Sequence, residues 1–323
     1  MGTFLVRRIF WAIFLFLAAT VITYVIFFLI PGDPAALACG KACTQQQVQH
    51  VRHFLHLDEP VWQQYLHFLW NLVGHQSLGT SFLNRQPVNY LVGQAAPVTA
   101  TLVFGGALFW LSLSIPAGVL SALRPRSLLD RASMTFVLVG ISAHPVWIGL
   151  ILSYIFGYKL NITPIAGYCN FFGTSPGTGC GGPVQWAYHM LLPWATFMLL
   201  YAALYVRLIR ANVMETMSED YVRTARAKGT PERRVLLHHV LRNSMLPVVT
   251  ILGMDIGLAL GGAIFTETIF NLHGLGQLVI TSYNQLDLPV ITGIVVFSTI
   301  AVIVFNLAVD ITYAFLDPRI RLS

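Results

Sequence analysis

The sequence contains few charged residues. Only 10% of its 323 residues are charged, whereas 56% are hydrophobic, and the mean hydropathy is +0.68. Soluble globular domains carry roughly 25% charged residues, so this composition excludes that class and indicates several segments in lipid. The net charge of +6 does not indicate a nucleic-acid partner, because the basic residues lie in short clusters at the ends of apolar runs and form no basic face.

The sequence also lacks the motif of a nucleotide-binding ATPase. No phosphate-binding loop of the form Gly-x-x-x-x-Gly-Lys-Ser/Thr is present, and the single Gly-Lys pair, Gly40-Lys41, is followed by Ala. We find no constellation of nucleophile and base and no convincing metal cluster. We therefore expect this chain to have no catalytic residue, metal or cofactor of its own.

Six apolar stretches are long enough to span a bilayer, which takes about 20 mainly apolar residues. The first is too long for the core of a secretory signal, so we interpret it as a retained helix. Pro and Gly inside several stretches fit a membrane bundle, where neighbouring helices satisfy the freed backbone groups. The stretches cover 9–30, 98–122, 132–157, 187–209, 246–268 and 290–316.

The positions of Lys and Arg predict the orientation of these spans. With the N-terminus inside, fifteen of the 19 basic residues lie in inner segments. Cytoplasmic segments carry an excess of Lys and Arg, so both termini are predicted to be cytoplasmic. The basic residues left in outer segments are Lys41, Arg52, Arg85 and Lys159.

All four cysteines fall in segments predicted to lie outside, where disulfides persist. Cys39 and Cys43 are in the first outer segment, and Cys169 and Cys180 flank a Gly- and Pro-rich stretch in the second. A crosslink across that stretch would remove much loop entropy. Three pairings of four cysteines exist, and the sequence leaves them open. Metal binding is the weaker interpretation, since no His stands at zinc-finger spacing.

The first outer segment, 31–97, is long for a simple connector. Within it, residues 45–72 place apolar side chains at helical spacing on both sides of an Asp-Glu-Pro break. We predict two short amphipathic helices on the outer face, which cap the bundle or meet an extracytoplasmic partner.

The inner segment 207–245 predicts a short helix, a turn and a second helix outside the membrane. Ser218 offers an N-cap hydroxyl, and acids follow it in the first helical turn. Gly229 suits a left-handed residue at the helix end, and Pro231 suits the start of the next helix. Taken alone, the pattern also fits a solvated basic loop.

This segment resembles the signature loop of permease subunits, of the first-permease type, in bacterial dipeptide, oligopeptide and nickel ABC importers. Of the general signature, Glu-Ala-Ala followed by three residues and Gly, only Ala225 and Gly229 match, but Arg-Thr-Ala-Arg-Ala-Lys-Gly resembles the peptide branch. Similar motifs extend over nearly the whole chain. They are Pro-Gly-Asp-Pro at 31–34, Leu-Gly-Thr-Ser at 78–81, Glu-Thr-Ile-Phe at 267–270, Gly-Leu-Gly at 274–276, Asp-Leu-Pro-Val at 287–290 and Asp-Pro-Arg-Ile-Arg at 317–321.

The resemblance implies an all-α membrane protein with the fold of a type I importer permease, in the bacterial inner membrane. Residues 1–97 would hold the first span and the outer amphipathic segment, 98–316 a five-helix core with a cytoplasmic coupling loop at about 210–245, and 317–323 a cytoplasmic tail. The implied partners are a second homologous permease, two cytoplasmic ATPases that use ATP and Mg, and an extracytoplasmic substrate-binding protein.

The resemblance further implies that the loop helix docks into a groove of an ATPase, whose closure rocks the spans from inward- to outward-facing. Small Ala225 and Ala227 suit entry into a groove, Tyr221 suits an aromatic anchor, and the cations suit acidic rims. The predicted coupling residues are Glu219, Asp220, Tyr221, Arg223, Thr224, Ala225, Arg226, Ala227, Lys228 and Gly229.

Three acidic residues are candidates for the translocation path. An ionisable side chain at membrane depth costs roughly 2.5–3.5 kcal/mol, so Asp255 and Asp310 are expected to face the bundle interior; Glu267 lies near an outer end. We favour a structural hydrogen bond for Asp310. Asp255 departs from the family pattern, in which an uncharged polar residue is more usual. It either meets the positive end of a substrate, such as a peptide α-amino group, or is a protonated or internally hydrogen-bonded carboxyl.

Two alternatives to peptide import stay open at this point. The same architecture would serve nickel or another small solute, because selection in such importers rests largely with the separate binding protein. An ATP-independent secondary transporter or channel is disfavoured by the docking loop and by the lack of evident internal repeats.

Overall fold

The computed structural model describes residues 2–26, 35, 39, 44–54, 58–173 and 179–316; at 2–6, 51, 54, 310 and 313–316 only the backbone is described. These ranges are mainly helical and hold two isolated β-bridges but no named strand. The helices are α1 Gly2–Tyr24, α2 Gln45–Phe54, α3 Val61–Gly74, α4 Val88–Leu123, α5 Leu128–Ser142, α6 Pro145–Leu152, α7 Pro183–Ser218, α8 Asp220–Ala227, α9 Glu232–Arg234, α10 Arg242–Ser244, α11 Leu246–Ala259, α12 Ile264–Phe270, α13 Leu275–Asn284 and α14 Leu288–Leu316. Two π-helical segments, Ser153–Lys159 and Val235–Leu241, continue α6 and join α9 to α10.

Four helices in the described ranges are long and apolar enough to cross a membrane: α1, α4, α7 and α14. Two further pairs qualify only as bent units. The segments Leu128–Ser142 and Pro145–Lys159 meet at 106°, and Glu232–Ser244 and Leu246–Ala259 meet at 44°. The described part of the chain therefore contains four to six candidate spans, and each of the six predicted apolar stretches lies largely within one of these helices or pairs.

The third predicted stretch, 132–157, is interrupted by a sharp bend because of Pro145. Proline has no N–H and disfavours helical backbone at the residue before it. His144 is accordingly extended (φ −79, ψ 141) and becomes the N-cap of α6. Its Nδ1 accepts the Val146 N–H at 3.3 Å, so the side chain satisfies a backbone group that the break exposes.

The prediction of one uninterrupted helix over 246–268 is wrong. α11 ends at Ala259 and α12 begins at Ile264. Between them, Gly262 has φ +128, a conformation that residues with a side chain rarely adopt. A Cβ at this position would lie 2.8 Å from the Cα of Gly276, so the backbone passes too close to a neighbouring segment to allow a side chain.

One unit of the chain comprises residues 1–99, 258–264 and 273–304. Two of the family-like motifs meet inside it, although they are 206 positions apart. The Ser81 hydroxyl donates to Asp287 Oδ2, and the Phe82 N–H donates to Asp287 Oδ1 at 3.0 Å. Both Ser81 and Asp287 are buried, so these bonds fix the loop before α4 to the start of α14. The apolar core of the unit consists of Val88, Val92, Ala95, Leu275, Val290 and Ile294.

The amphipathic helix α3 rests against α1 in the same unit. The Tyr24 hydroxyl donates to Gln64 Oε1 at 2.9 Å, and the hydroxyls of Thr20 and Tyr65 are 3.0 Å apart. No residue of α3 is buried, and Trp70 is 67% exposed. Its placement on the outer face of a membrane stays a prediction.

The second unit comprises residues 100–257, 265–272 and 305–323. Aromatic side chains pack α4 against α7 within it. The Trp194 indole N–H donates to the Thr101 carbonyl at 3.0 Å, and the Trp110 ring stacks on that of Tyr201 at 4.6 Å. Trp110 is completely buried. This packing fixes the first half of α7, the helix whose last residue precedes the predicted docking loop.

Candidate functional site

The predicted docking loop follows α7 without a spacer. α7 ends at Ser218, Glu219 is extended (φ −66, ψ 146), and α8 begins at Asp220. The prediction of Ser218 as N-cap is wrong, because its hydroxyl donates to the Glu215 carbonyl at 2.7 Å and so belongs to the preceding helix. The N-cap residue is Glu219, whose side chain makes no capping hydrogen bond.

The turn after α8 is built by Gly229. Its φ is +76, its N–H donates to the Arg226 carbonyl at 2.9 Å, and the Thr230 N–H donates to the Ala225 carbonyl at 3.2 Å. This pair of bonds defines a Schellman motif, which needs a left-handed residue at this point. A Cβ on Gly229 would meet nothing within 4 Å, so backbone conformation alone, and not space, requires glycine.

The two faces of α8 differ in exposure. Val222 and Ala225 are buried against the rest of this chain. The interpretation of Ala225 as a residue that enters a partner's groove is thereby corrected, and the small residue on the exposed face is Ala227. The exposed residues of the loop are Glu219, Asp220, Tyr221, Arg223, Thr224, Arg226, Ala227, Lys228 and Gly229.

Side-chain contacts tie α8 to the segment that follows it. Asn243 Nδ2 donates to the Tyr221 hydroxyl at 2.7 Å, although the Tyr221 side chain remains 41% exposed. Arg226 Nε lies 2.8 Å from Glu232 Oε1 across the turn. Both partners of this ion pair are well exposed, so it stabilises the turn by only about 0.5 kcal/mol or less. α8 is therefore held against its own chain through one face, and the Tyr221 side chain remains accessible beside it.

A polar cleft of about 320 Å³ lies beside the start of α8. Glu215 and Glu219 both contribute carboxylates to it, so the cleft can accept hydrogen bonds from a cationic group. Its lining consists of Asn212, Glu215, Thr216, Glu219, Tyr221, Asn243, Ser244 and Pro247.

A buried ion pair holds α7 to the α4–α5 turn, and the sequence interpretation missed it. Arg210 donates to Asp130 through Nε (2.7 Å) and Nη2 (3.0 Å). Asp130 also accepts the Arg126 N–H at 2.8 Å and the Ser121 hydroxyl, and it is only 5% exposed. The sequence could have indicated this pair, because Asp130 is the single acid within the basic cluster 124–131. A buried carboxylate without a partner would be costly, so a cation was to be expected beside it.

The candidate acids of the translocation path have different surroundings. The Tyr205 hydroxyl, itself fully buried, donates to Asp255 Oδ2 at 2.7 Å. This bond agrees with the hypothesis that Asp255 is an internally hydrogen-bonded carboxyl. Glu267 is completely buried in α12. The side chain of Asp310 lies outside the described residues, so its role stays a prediction.

A disulfide joins Cys169 and Cys180, whose Cα atoms are 5.5 Å apart. Cys43 lies outside the described residues, so its pairing with Cys39 stays one of the possibilities that the sequence left open. The structure also brings His189 of α7 to the disulfide, which sequence spacing did not indicate, since 20 positions separate this residue from Cys169.

Comparison with known families identifies the chain. The family model described as binding-protein-dependent transport system inner membrane component matches residues 114–322, and the model for the N-terminal part of such components matches residues 1–103. The chain belongs to this family. The resemblance seen in the sequence is therefore confirmed, and the protein is an inner-membrane component of a transport system, not its ATPase.

Similar members of the family are transport permeases. The chain is 35% identical over 334 residues to the dipeptide transport system permease protein DppB of Escherichia coli, with 98% of both chains covered. It is 33% identical over 321 residues to y4tP of Sinorhizobium fredii, named as a peptide ABC transporter permease, covering 99% of this chain and 100% of that one. A protein named as a peptide transport system permease in Brucella abortus is 34% identical over 321 residues and 99% of both chains.

Proposed function

We propose that this protein is one permease subunit of an ATP-driven importer of dipeptides or oligopeptides, and that it forms half of the translocation path. The observation that carries the proposal is the exposed face of helix α8, with its cations and a tyrosine, in a member of this permease family. Its relatives are named as permeases for dipeptides or peptides, and we assign the same class of substrate to this protein.

The proposed arrangement has six spans with both termini in the cytoplasm. The bent pairs α5–α6 and α9–α11 then count as one span each. The loop that contains α8 lies on the cytoplasmic side, where two ATPase subunits hydrolyse ATP with Mg. A second homologous permease completes the path, and a substrate-binding protein delivers peptide to the outer face. The basic residues of inner segments support this orientation.

Energy would enter the permease through α8. Closure of the ATPases displaces a docked helix, and the displacement is useful only if the helix cannot move independently of its own chain. Three features support that condition: Val222 is fully buried, the Tyr221 hydroxyl is bonded to Asn243, and α8 follows α7 after a single extended residue. We infer that α8 and α7 move together.

Reconstitution in proteoliposomes tests this function. The permease is assembled with its second permease, the ATPases and the binding protein, and uptake of a labelled dipeptide is measured with and without ATP. Arg223→Glu reverses a charge on the exposed face of α8 and is expected to abolish co-purification of the ATPases and uptake. Arg124→Glu makes the same change in an exposed inner residue outside the loop and should retain both. Uptake without ATP, or equal loss in both variants, would refute the proposal.

A further inference from the structure

Three potential metal ligands converge where α7 meets the outer loop. The Sγ atoms of Cys169 and Cys180 and a ring nitrogen of His189 all lie within 4.8 Å of one another. Cys169 is completely buried, while Cys180 and His189 are half-buried. Because the two sulfurs are joined in a disulfide, they are not ligands in this state: the thiolate, not the disulfide, binds metal.

The hydrogen bonds of His189 determine which nitrogen is available. Nδ1 lies 2.9 Å from the Gln185 carbonyl oxygen, which can only accept, so we assign the proton to Nδ1. Nε2 then carries the lone pair; it lies 3.7 Å from Cys169 Sγ, whereas Nδ1 lies 3.3 Å from the same sulfur. Histidines that bind metals usually donate their other N–H to a carbonyl or carboxylate in this way, which fixes the tautomer and the orientation of the ring.

The spacing of these atoms suits a tetrahedral zinc ion. With Zn–S near 2.3 Å and Zn–N near 2.0–2.1 Å, a tetrahedral site places sulfur and nitrogen about 3.5 Å apart and two sulfurs about 3.8 Å apart. Cys169 Sγ and His189 Nε2 stand at close to the first distance, but because the sulfur lies nearer Nδ1, the imidazole ring must turn before the Nε2 lone pair faces it. The distance between the two sulfurs would increase to about 3.8 Å once the S–S bond is broken. The Cα atoms of the two cysteines are 5.5 Å apart, so both side chains would stay near the imidazole ring.

We propose that Cys169, Cys180 and His189 form a zinc site that the disulfide keeps closed and that reduction opens. A small dithiol or a dithiol protein on the outer side transfers two electrons and two protons to the S–S bond, which gives two thiols and leaves the reductant as a disulfide. Zn²⁺ then binds both sulfurs with release of two protons, and His189 Nε2 supplies the third ligand. Water takes the fourth position.

The site would have a structural consequence for the outer loop. In the oxidised chain the loop already contacts α7, because the Gly181 N–H donates to Gln185 Oε1 at 2.7 Å and Cys169 Sγ lies 3.3 Å from His189 Nδ1. In the reduced, metal-bound chain the ion would replace the S–S bond as the link between Cys169 and Cys180 and would add a coordinate bond to α7 through His189. The redox state of the compartment would thus determine whether the loop is held to this helix by hydrogen bonds alone or also by a metal ion.

Cobalt binding tests the proposal, because Co²⁺ in a thiolate site gives charge-transfer and visible bands that report its ligands. The test protein is the full chain in nanodiscs with Cys39→Ser and Cys43→Ser, so that reduction frees no other thiol. After reduction and removal of reductant, one Co²⁺ per chain is expected with tetrahedral bands, displaced by one Zn²⁺. The oxidised protein should bind none. His189→Gln should weaken binding by about 100-fold or more, whereas His75→Gln, an exposed histidine outside the cluster, should not.

Three outcomes would overturn the proposal: no stoichiometric binding after reduction, equal binding by the oxidised chain, or an affinity unchanged by His189→Gln. Because the histidine variant retains the disulfide, its folding can be checked in the oxidised state before reduction. A cooperative thermal melting curve recorded on the reduced chain itself shows that it stayed folded.

Discussion

Replacement of Asp130 by Asn removes the charge of a buried carboxylate and leaves its size almost unchanged. The carboxylate accepts two hydrogen bonds from Arg210, one from the Arg126 N–H and one from the Ser121 hydroxyl. An asparagine has only one side-chain oxygen to accept these bonds, and its NH₂ group, a donor, would face N–H or O–H groups that also donate. The variant therefore leaves the Arg210 guanidinium without a counter-charge.

The expected loss of stability follows from the burial of the pair. Removing one partner of a buried ion pair costs about 3–5 kcal/mol. The side chains of Arg210 and Asp130 are 24% and 7% exposed, so solvent offsets part of this cost, and we expect about 3 kcal/mol. Glu232→Gln is the matched control, because it breaks an ion pair of similar length, 2.8 Å, whose partners are 37% and 70% exposed. Its expected cost is below about 0.5 kcal/mol.

Reversible denaturation of the purified chain in mixed micelles measures both values. A double variant, Asp130→Asn with Arg210→Gln, separates the loss of the bond from the burial of a lone charge. It should be more stable than Asp130→Asn alone, since no unpaired charge remains. Equal shifts for Asp130→Asn and Glu232→Gln, or no recovery in the double variant, would refute the assignment of this pair as a buried brace of α7.

Three further predictions concern the other sites. Gly229→Ala should destabilise the turn by about 1–2 kcal/mol and weaken co-purification of the ATPases. Gly229→Asn should behave more like the wild type, because Asn tolerates left-handed backbone, and equal effects of the two variants would contradict the backbone argument. Asp255→Asn should leave the ratio of cationic to neutral dipeptide uptake unchanged if its carboxylate serves only Tyr205, and a selective loss of cationic substrates would instead place it on the path. Ser81→Ala removes one donor from buried Asp287 and should lower the free energy of unfolding by about 1.5–3 kcal/mol in the same denaturation assay.

The positions of the apolar helices could be predicted because length and hydropathy are sufficient for a membrane span. The breaks within them could not. Proline alone does not fix a bend, since α7 continues through Pro193, whereas Pro145 follows an extended His144 and starts a new helix. The break at Gly262 depends on its close approach to Gly276, a contact that no local pattern encodes.

In the candidate site, too, features formed by sequence neighbours could be predicted, whereas contacts between distant positions could not. The turn at Gly229 is predictable because the residues that form it are neighbours in the sequence. The pairing of Asp130 with Arg210 joins positions 80 apart, so the sequence marked only an acid among cations. The prediction of Ser218 as an N-cap was wrong because α7 extends to this residue, and the Ser218 hydroxyl donates to a carbonyl of that helix. The sequence does not determine where α7 ends.

The length of α7 has a mechanical consequence. Its 36 residues correspond to about 54 Å of helix, whereas the hydrocarbon core of a bilayer is about 30 Å thick. In the proposed six-span arrangement, a straight helix along the bilayer normal would leave roughly 24 Å outside the core, with His189 near one end and α8 at the other. A tilt of about 10° around its midpoint would swing each end by about 5 Å. In the proposed arrangement, a tilt of α7 would therefore displace the segment around His189 and the start of α8 together, on opposite sides of the membrane.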